Sequence, residues 1–228
     1  MATPPAPDWE ECFRLISQSR AGREVLSRFL PEYRSGRLEL REVEADSSEL
    51  LGLRGGNAAG TPVGGFTYDG GNKRILLARH PALGLQAPLL FHEMVHATDE
   101  EFIRSFAESE RMWKRFRERA EAAMKEAADR LGKFEDEVTG GDLDPSSRLE
   151  LIRLRRTAEN FERMRLFRTE RKAYSLLFVW VQEVCERVPE YRTWLRSQRS
   201  QGFDLDRDVT DEEILQGYDL QSQGCDAQ

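Results

Sequence analysis

The sequence predicts an α+β protein that is mainly helical, with a small antiparallel sheet or hairpin and a long antiparallel helical hairpin. Three observations predict it. Gly65-Phe66-Thr67-Tyr68 and Arg74-Ile75-Leu76-Leu77-Ala78 flank the turn sequence Asp69-Gly70-Gly71-Asn72, the pattern of two strands joined by glycines that accept positive φ. From Phe102 onward, Phe106, Trp113, Phe116, Ala120, Met124, Ala127, Leu131, Phe134 and Val138 recur in steps of three, four or seven amid dense alternating charge. That spacing marks a long helix with a coiled-coil-like seam. Beyond the glycine-rich break at 139–145, Leu149, Ile152, Phe161 and Met164 continue a second long helix toward Val184.

Each element has its own local cause. Residues 1–7 form a Pro/Ala-rich tail. Asp8 with Glu11 makes a capping-box pattern, and Trp9, Phe13 and Ile16 follow at helical spacing. Val25, Leu26, Phe29 and Leu30 extend a second helix that Pro31 is expected to stop. Leu38 and Leu40 alternate with Arg37, Glu39 and Arg41 as a short strand. Residues 52–65 are glycine-rich but lack the Lys-Ser/Thr ending of a phosphate-binding loop, so their glycines read as turn geometry. Pro88 fits the first turn of a helix carrying Leu89, Leu90, His92, Val95 and His96. Ser146 or Ser147 can cap the second long helix, Pro189 ends it, and Tyr191, Trp194 and Leu195 suggest one further turn. Residues 198–211 are polar and acidic, and 211–215 form a last small helix. The expected organisation is a single domain over 8–228, with 101–168 as an inserted helical-hairpin arm.

Composition narrows the function. One third of the 228 residues are charged, yet 39% are hydrophobic and twelve are phenylalanine, which favours a globular chain over disorder. A net charge of -7 gives no general pull toward nucleic acid or anionic membranes. The arginines of the arm are nearly balanced by Glu and Asp, so it resembles an ion-paired coiled coil more than a basic track, and nucleic-acid partners are not expected. The N-terminal residues lack a basic segment followed by an apolar one, and no run approaches the roughly 18 to 20 apolar residues that span a bilayer. Cys12, Cys185 and Cys225 are odd in number and form no CxxC, as expected of reduced thiols in a cytoplasm. An effector delivered into a host cell would share these features.

The most informative stretch is His92-Glu93-Met94-Val95-His96. Imidazoles four residues apart share one helix face, where both reach a single Zn²⁺, and the adjacent glutamate is placed to work on a water at that metal. A catalytic site needs a third protein ligand and one open position. No histidine follows His96, so the candidates are His80, Asp99, Glu100 and carboxylates of the second long helix. Glu170 stands out because Leu166, Phe167, Ala173, Tyr174 and Leu177 surround it on its helical face. A lone carboxylate in an apolar stripe is costly to bury unless it is paired or ligates a metal. An ion pair with Arg163, Arg165, Arg168 or Arg171 is the plain alternative for Glu170. Glu183, flanked by Val179 and Trp180, is a further ligand candidate. Asp99, one turn beyond His96, reads as a partner that fixes a ligand histidine's tautomer. Tyr174 is placed to hydrogen-bond an oxyanion, in the role of a catalytic group, or else to fill the core.

These residues resemble a zincin-type metallopeptidase of the glutamate-ligand branch, the gluzincins. The likeness rests on the hairpin between Gly65 and Arg79, the HExxHxxD/E helix containing His92, Glu93, His96 and Asp99, and a later ExxA segment at Glu170-Arg171-Lys172-Ala173. The Asn-Glu-x-x-Ser/Asp pattern of the thermolysin-like group is absent. The resemblance implies a zincin-like fold, His92, His96 and Glu170 as Zn²⁺ ligands, Glu93 as general base, and hydrolysis of protein or peptide substrates. It also implies that an extended substrate pairs with a strand beside the metal helix, for which Arg74 to Arg79 is the natural candidate. The arm is expected to be structural or to bind a partner protein; an acidic tail that covers the cleft, with Cys225 masking the metal, is a conjecture beside it. The competing reading is a non-catalytic interaction or scaffold protein whose metal site is structural or vestigial; a weaker one is peptidase action on protein–DNA adducts.

Overall fold

The computed structural model describes residues 8–44, 47, 64–69, 72–78, 82–199 and 209–214, with 64–69 described as main chain only. His80, Arg79, Cys225 and most of the glycine-rich segment 52–65 therefore lie outside the described residues. The chain forms two compact units, one comprising residues 1–103 and 167–228 and the other 104–166. The fold is α+β, as expected: helices dominate, with one three-stranded sheet. Among the described residues, no helix is long and apolar enough to cross a membrane.

The first unit starts with α1 (Trp9–Ile16) and α2 (Arg20–Arg34). The Asp8 side chain caps α1, accepting from the Glu10 N–H, and Ser19 caps α2 through the Gly22 N–H at 2.7 Å. Pro31 does not stop α2, which runs one more turn to Arg34. Cys12, Phe13 and Ile16 from α1 and Val25, Leu26 and Phe29 from α2 enter the common core. Burial, with the carboxylates of Glu11, Asp8 and Glu42, pushes the Cys12 thiol up to about 12, so this cysteine is a packing residue rather than a nucleophile.

The sheet corrects the expected antiparallel arrangement. Strands β1 (Leu38–Val43), β2 (Gly64–Asp69) and β3 (Asn72–Ala78) lie in the order β1-β3-β2. The hairpin β2–β3 is antiparallel, but β1 runs parallel to β3, with Leu40 opposite Ile75, so the sheet is mixed. The consecutive buried run Ile75, Leu76, Leu77 and Ala78 explains why β3 is central: such a strand needs cover on both faces and neighbours on both edges. With both edges already paired, β3 cannot accept a substrate strand, which overturns the reading of 74–79 as the substrate edge.

Helix α3 (Leu83–Thr98) carries the His-Glu-Met-Val-His motif and is the centre of this unit, packing on α1, α2, β2 and β3. It is apolar nearly all round, the pattern of a helix enclosed by its neighbours. Pro88 lies inside this helix and not in its first turn, since α3 begins five residues earlier. A proline there costs about 3 kcal/mol, partly because its nitrogen cannot donate to the carbonyl four residues back. That carbonyl belongs to Gly84, and it instead accepts from the Tyr191 hydroxyl at 3.3 Å. Tyr191 is supplied by α6 (Pro189–Arg199), a helix of 11 residues where one turn was expected. Gly84 also lets α6 approach, because a Cβ there would stand 2.3 Å from the Trp194 ring.

Between these come α4 (Glu100–Leu131) and α5 (Pro145–Arg187). The C-terminal half of α5 completes the first core with Ala173, Leu177, Trp180, Val181 and Val184. Trp180 stacks on Phe91 at 5.4 Å between ring centroids and donates from its indole N–H to the Ile16 carbonyl at 3.2 Å. Glu183 accepts from the Ala21 N–H at 3.0 Å, using its charge on the first turn of α2.

In the second unit a small core of Ala123, Ala127, Ala128, Val138 and Leu143 holds the helical hairpin. The predicted seam overshoots. Gly132, at φ 64°, ends α4 in the left-handed region, and beyond it Phe134 is 76% exposed. The α5 cap is Asp144 and neither serine: its carboxylate accepts from the Ser146 and Ser147 N–H groups, each at 3.0 Å.

Candidate metal centre

The site is built where α3 meets α5 within the first unit. Helical spacing puts His92 and His96 one turn apart, with ring centroids 4.8 Å apart and their Nε2 atoms 3.1 Å apart. From α5, Glu170 places Oε2 3.2 Å from His92 Nε2 and Oε1 3.2 Å from His96 Nε2. None of the neighbouring arginines takes the Glu170 carboxylate; Arg171 pairs with Asp211 instead. The fully buried Ala173 beside it is small enough for the two helices to close on each other.

Two imidazole nitrogens and the two oxygens of one carboxylate face one another here, and their spacing can be tested against an ion. Tetrahedral Zn²⁺, with bonds of about 2.0–2.2 Å, sets its ligand atoms roughly 3.4 Å apart. The 3.1 Å between the imidazole nitrogens and the 3.2 Å from each nitrogen to its own Glu170 oxygen are close to that, so the residues present fit a divalent ion of this size. The same cluster is poorly served by hydrogen bonds alone. If both imidazoles donate to Glu170, their two N–H groups face each other at 3.1 Å; a cation among the three donors removes that conflict. The location also favours positive charge, since His96 lies in the last turn of α3, at the negative end of the helix dipole.

Electrostatics point the same way. Burial pushes the Glu170 carboxyl up, but His96 and His92 outweigh it and hold the group well below the usual carboxylate range. Burial pulls the His92 imidazole down, but the hydrogen bond and charge of Glu170, with the charge of Glu93, raise it overall. Glu93 is only 7% exposed, and its charge acts on both His92 and Tyr174, so a second carboxylate stands beside the triad.

Tyr174, one turn beyond Glu170, lays its ring 4.7 Å from the His92 ring. Burial, then the carboxylates of Glu170, Glu93 and Glu213, raise its phenol above the ordinary value, so it remains a proton donor at neutral pH. Among the described residues, no hydrogen bond engages that hydroxyl.

Other site candidates fall elsewhere. Glu183 serves α2, as described above. Glu100 is exposed at the start of α4. Asp99 does not reach a histidine: α3 ends at Thr98, and the extended Asp99 backbone (φ -88°, ψ 106°) turns its side chain off the metal face. Its carboxylate instead accepts from the Glu101 N–H at 3.1 Å, capping α4, and pairs with Lys172 Nζ at 2.8 Å. Sequence reasoning missed Lys172, which ties the start of α4 to α5 two residues past Glu170. It also missed Phe102, whose ring lies 5.0 Å from His96. Alternating charge around Lys172 hides its partner, whereas Phe102 was visible as an apolar residue two turns past His96 and assigned to the seam. No protein-family model matches the chain, nor does any curated protein or solved structure.

Proposed function

We propose that this chain is a gluzincin-like zinc peptidase in which His92, His96 and Glu170 hold the ion and Glu93 is the general base. The observation that carries the reading is the convergence of two imidazole nitrogens on each other and on the Glu170 carboxylate at 3.1–3.2 Å, with a buried carboxylate, Glu93, beside them. A structural zinc site is closed by four protein ligands and has no use for an adjacent base. Here the donor set among the described residues numbers three.

When bound, the ion supplies Lewis acidity, bringing the pKa of a water toward about 7 and polarising a carbonyl. The protein supplies proton transfer and orientation. Glu93 takes the proton from the attacking water and passes it to the leaving amine nitrogen. Tyr174 donates its phenolic hydrogen to the oxygen on which negative charge develops. The substrate peptide adds to the outer edge of β2, the edge strand that packs on α3, through main-chain hydrogen bonds.

Metal content by mass spectrometry on the wild type, His96→Ala and Glu170→Ala tests the ligands, with about one zinc per chain expected only in the wild type. A peptide-library digest with Glu93→Gln tests the chemistry: zinc stays bound while the rate falls by about 10²- to 10⁴-fold. Zinc without any cleavage would leave the non-catalytic scaffold reading, and no zinc in the wild type would remove both metal readings.

A further inference from the structure

The acidic segment 209–214 returns to α5 beside the candidate site. Arg171, the residue after Glu170, donates from Nη1 to the Val209 carbonyl at 2.8 Å and pairs through Nε with the Asp211 carboxylate at 3.3 Å. Thr210 and Glu213 form a reciprocal capping box: the Thr210 N–H donates to Glu213 Oε2 at 2.8 Å, and the Glu213 N–H to Thr210 Oγ1 at 3.3 Å. The box fixes one helical turn over 211–214 and directs Ile214 inward, where it is 7% exposed. Glu213 lies close enough for its charge to act on Tyr174, whose ring covers His92. An exposed ion pair would not hold such a segment by itself. A guanidinium gripping both a carbonyl and a carboxylate, together with a buried isoleucine, can do so.

We propose that residues 209–214 form an intramolecular strap, docked on α5 through Arg171 and secured by the buried Ile214, that covers the approach to Tyr174 and keeps a peptide substrate from the site until it is displaced. The inhibitory role rests on the peptidase reading; the docking surface, selective for an acidic turn ending in an aliphatic residue, does not. The strap is a segment of the same chain, so it competes with any external peptide at an effective concentration in about the millimolar range.

The test uses the full chain carrying Asp211→Lys and Ile214→Asp, which release the strap, and a fluorescent peptide with the sequence of residues 209–215. By anisotropy the released variant is expected to bind the peptide at least about tenfold more tightly than the wild type, and addition of Arg171→Ala to abolish the gain. Chelator extraction of zinc is expected to speed up several-fold in the released variant. Equal peptide binding by wild type and released variant would overturn the strap, whether or not the protein cleaves peptides. Arg171→Ala alone in the full chain guards against misfolding of the double variant: it removes the guanidinium that holds the Val209 carbonyl and the Asp211 carboxylate, and unchanged hydrogen exchange across 209–214 there would also overturn the proposal. If no peptide is ever hydrolysed, the peptidase reading fails while the anisotropy result still decides the docking.

Discussion

The proline inside α3 makes a quantitative prediction. Pro88 lies one turn before His92 and cannot donate to the Gly84 carbonyl, which accepts from the Tyr191 hydroxyl at 3.3 Å instead. Tyr191 is 5% exposed and Gly84 half-buried, so Tyr191→Phe leaves a partly shielded carbonyl without its partner, at a cost of about 1–1.5 kcal/mol. In a Pro88→Ala background the alanine N–H reaches the same carbonyl through the ordinary helical bond. The tyrosine hydroxyl is then redundant, and Tyr191→Phe should cost less than about 0.5 kcal/mol. A double-mutant cycle followed by urea unfolding isolates this coupling, because other effects of losing the proline ring cancel between the two arms. The four proteins should share one m-value, showing that the unfolded state has not changed. An equal cost of Tyr191→Phe in both backgrounds would refute the idea that α6 repairs the helix at Pro88.

Other outcomes follow from the site and its supports. Tyr174→Phe should retain zinc, keep the ring on His92, and lower kcat by about 10²- to 10³-fold with little change in KM; an unchanged kcat would return Tyr174 to a packing role. In the metal-free protein His92 is raised above the ordinary histidine value of 6.5, so incoming zinc must displace a proton there, while Glu170 stays ionised. Zinc affinity measured by chelator competition should therefore keep rising with pH through and beyond that value. The His92–Glu170 contribution to metal-free stability runs the other way: for His92 it is present at low pH and lost as pH climbs past its raised pKa. A zinc affinity flat across about pH 6 to 8 would contradict the shift. Gly22→Ala should destabilise by about 1–3 kcal/mol or more, because the new Cβ would fall 1.8 Å from the Ile16 carbonyl oxygen, which is backbone. A thermal melt reads that loss directly.

What was legible in the sequence was local and periodic. The four-residue step from His92 to His96 specifies a shared helix face wherever α3 lies in the fold, and Glu170 betrayed itself as a charge within an apolar stripe. The hairpin was legible from its glycines. The parallel pairing of β1 with β3 was not, because nothing within either strand names a partner more than thirty residues away. A signal did exist in the uninterrupted run 75–78, which belongs to a central strand and not to an edge. Asp99 misled because helical spacing was carried one residue past the point where the helix ends. Pro31 and Pro88 mislead because the local rules place a proline at a helix end, whereas a tertiary contact such as that of Tyr191 with Gly84 accommodates Pro88 within its helix. The docking of 209–214 on Arg171 was hidden by the polar composition around it, although Thr210-x-x-Glu213 is itself a helix-start pattern.

The separation of Glu170 from His96 along the chain has a consequence during synthesis. The two histidines leave the ribosome together, but 74 residues must follow His96 before the carboxylate is made. At roughly 5–20 residues per second that interval lasts about 4–15 s. Throughout it a nascent chain offers an ion only two imidazoles from one helix. The third donor arrives after the whole of α4 and the connection to α5 have been translated, so on the proposed ligand set metal capture would report that this long helical excursion has been completed and has returned.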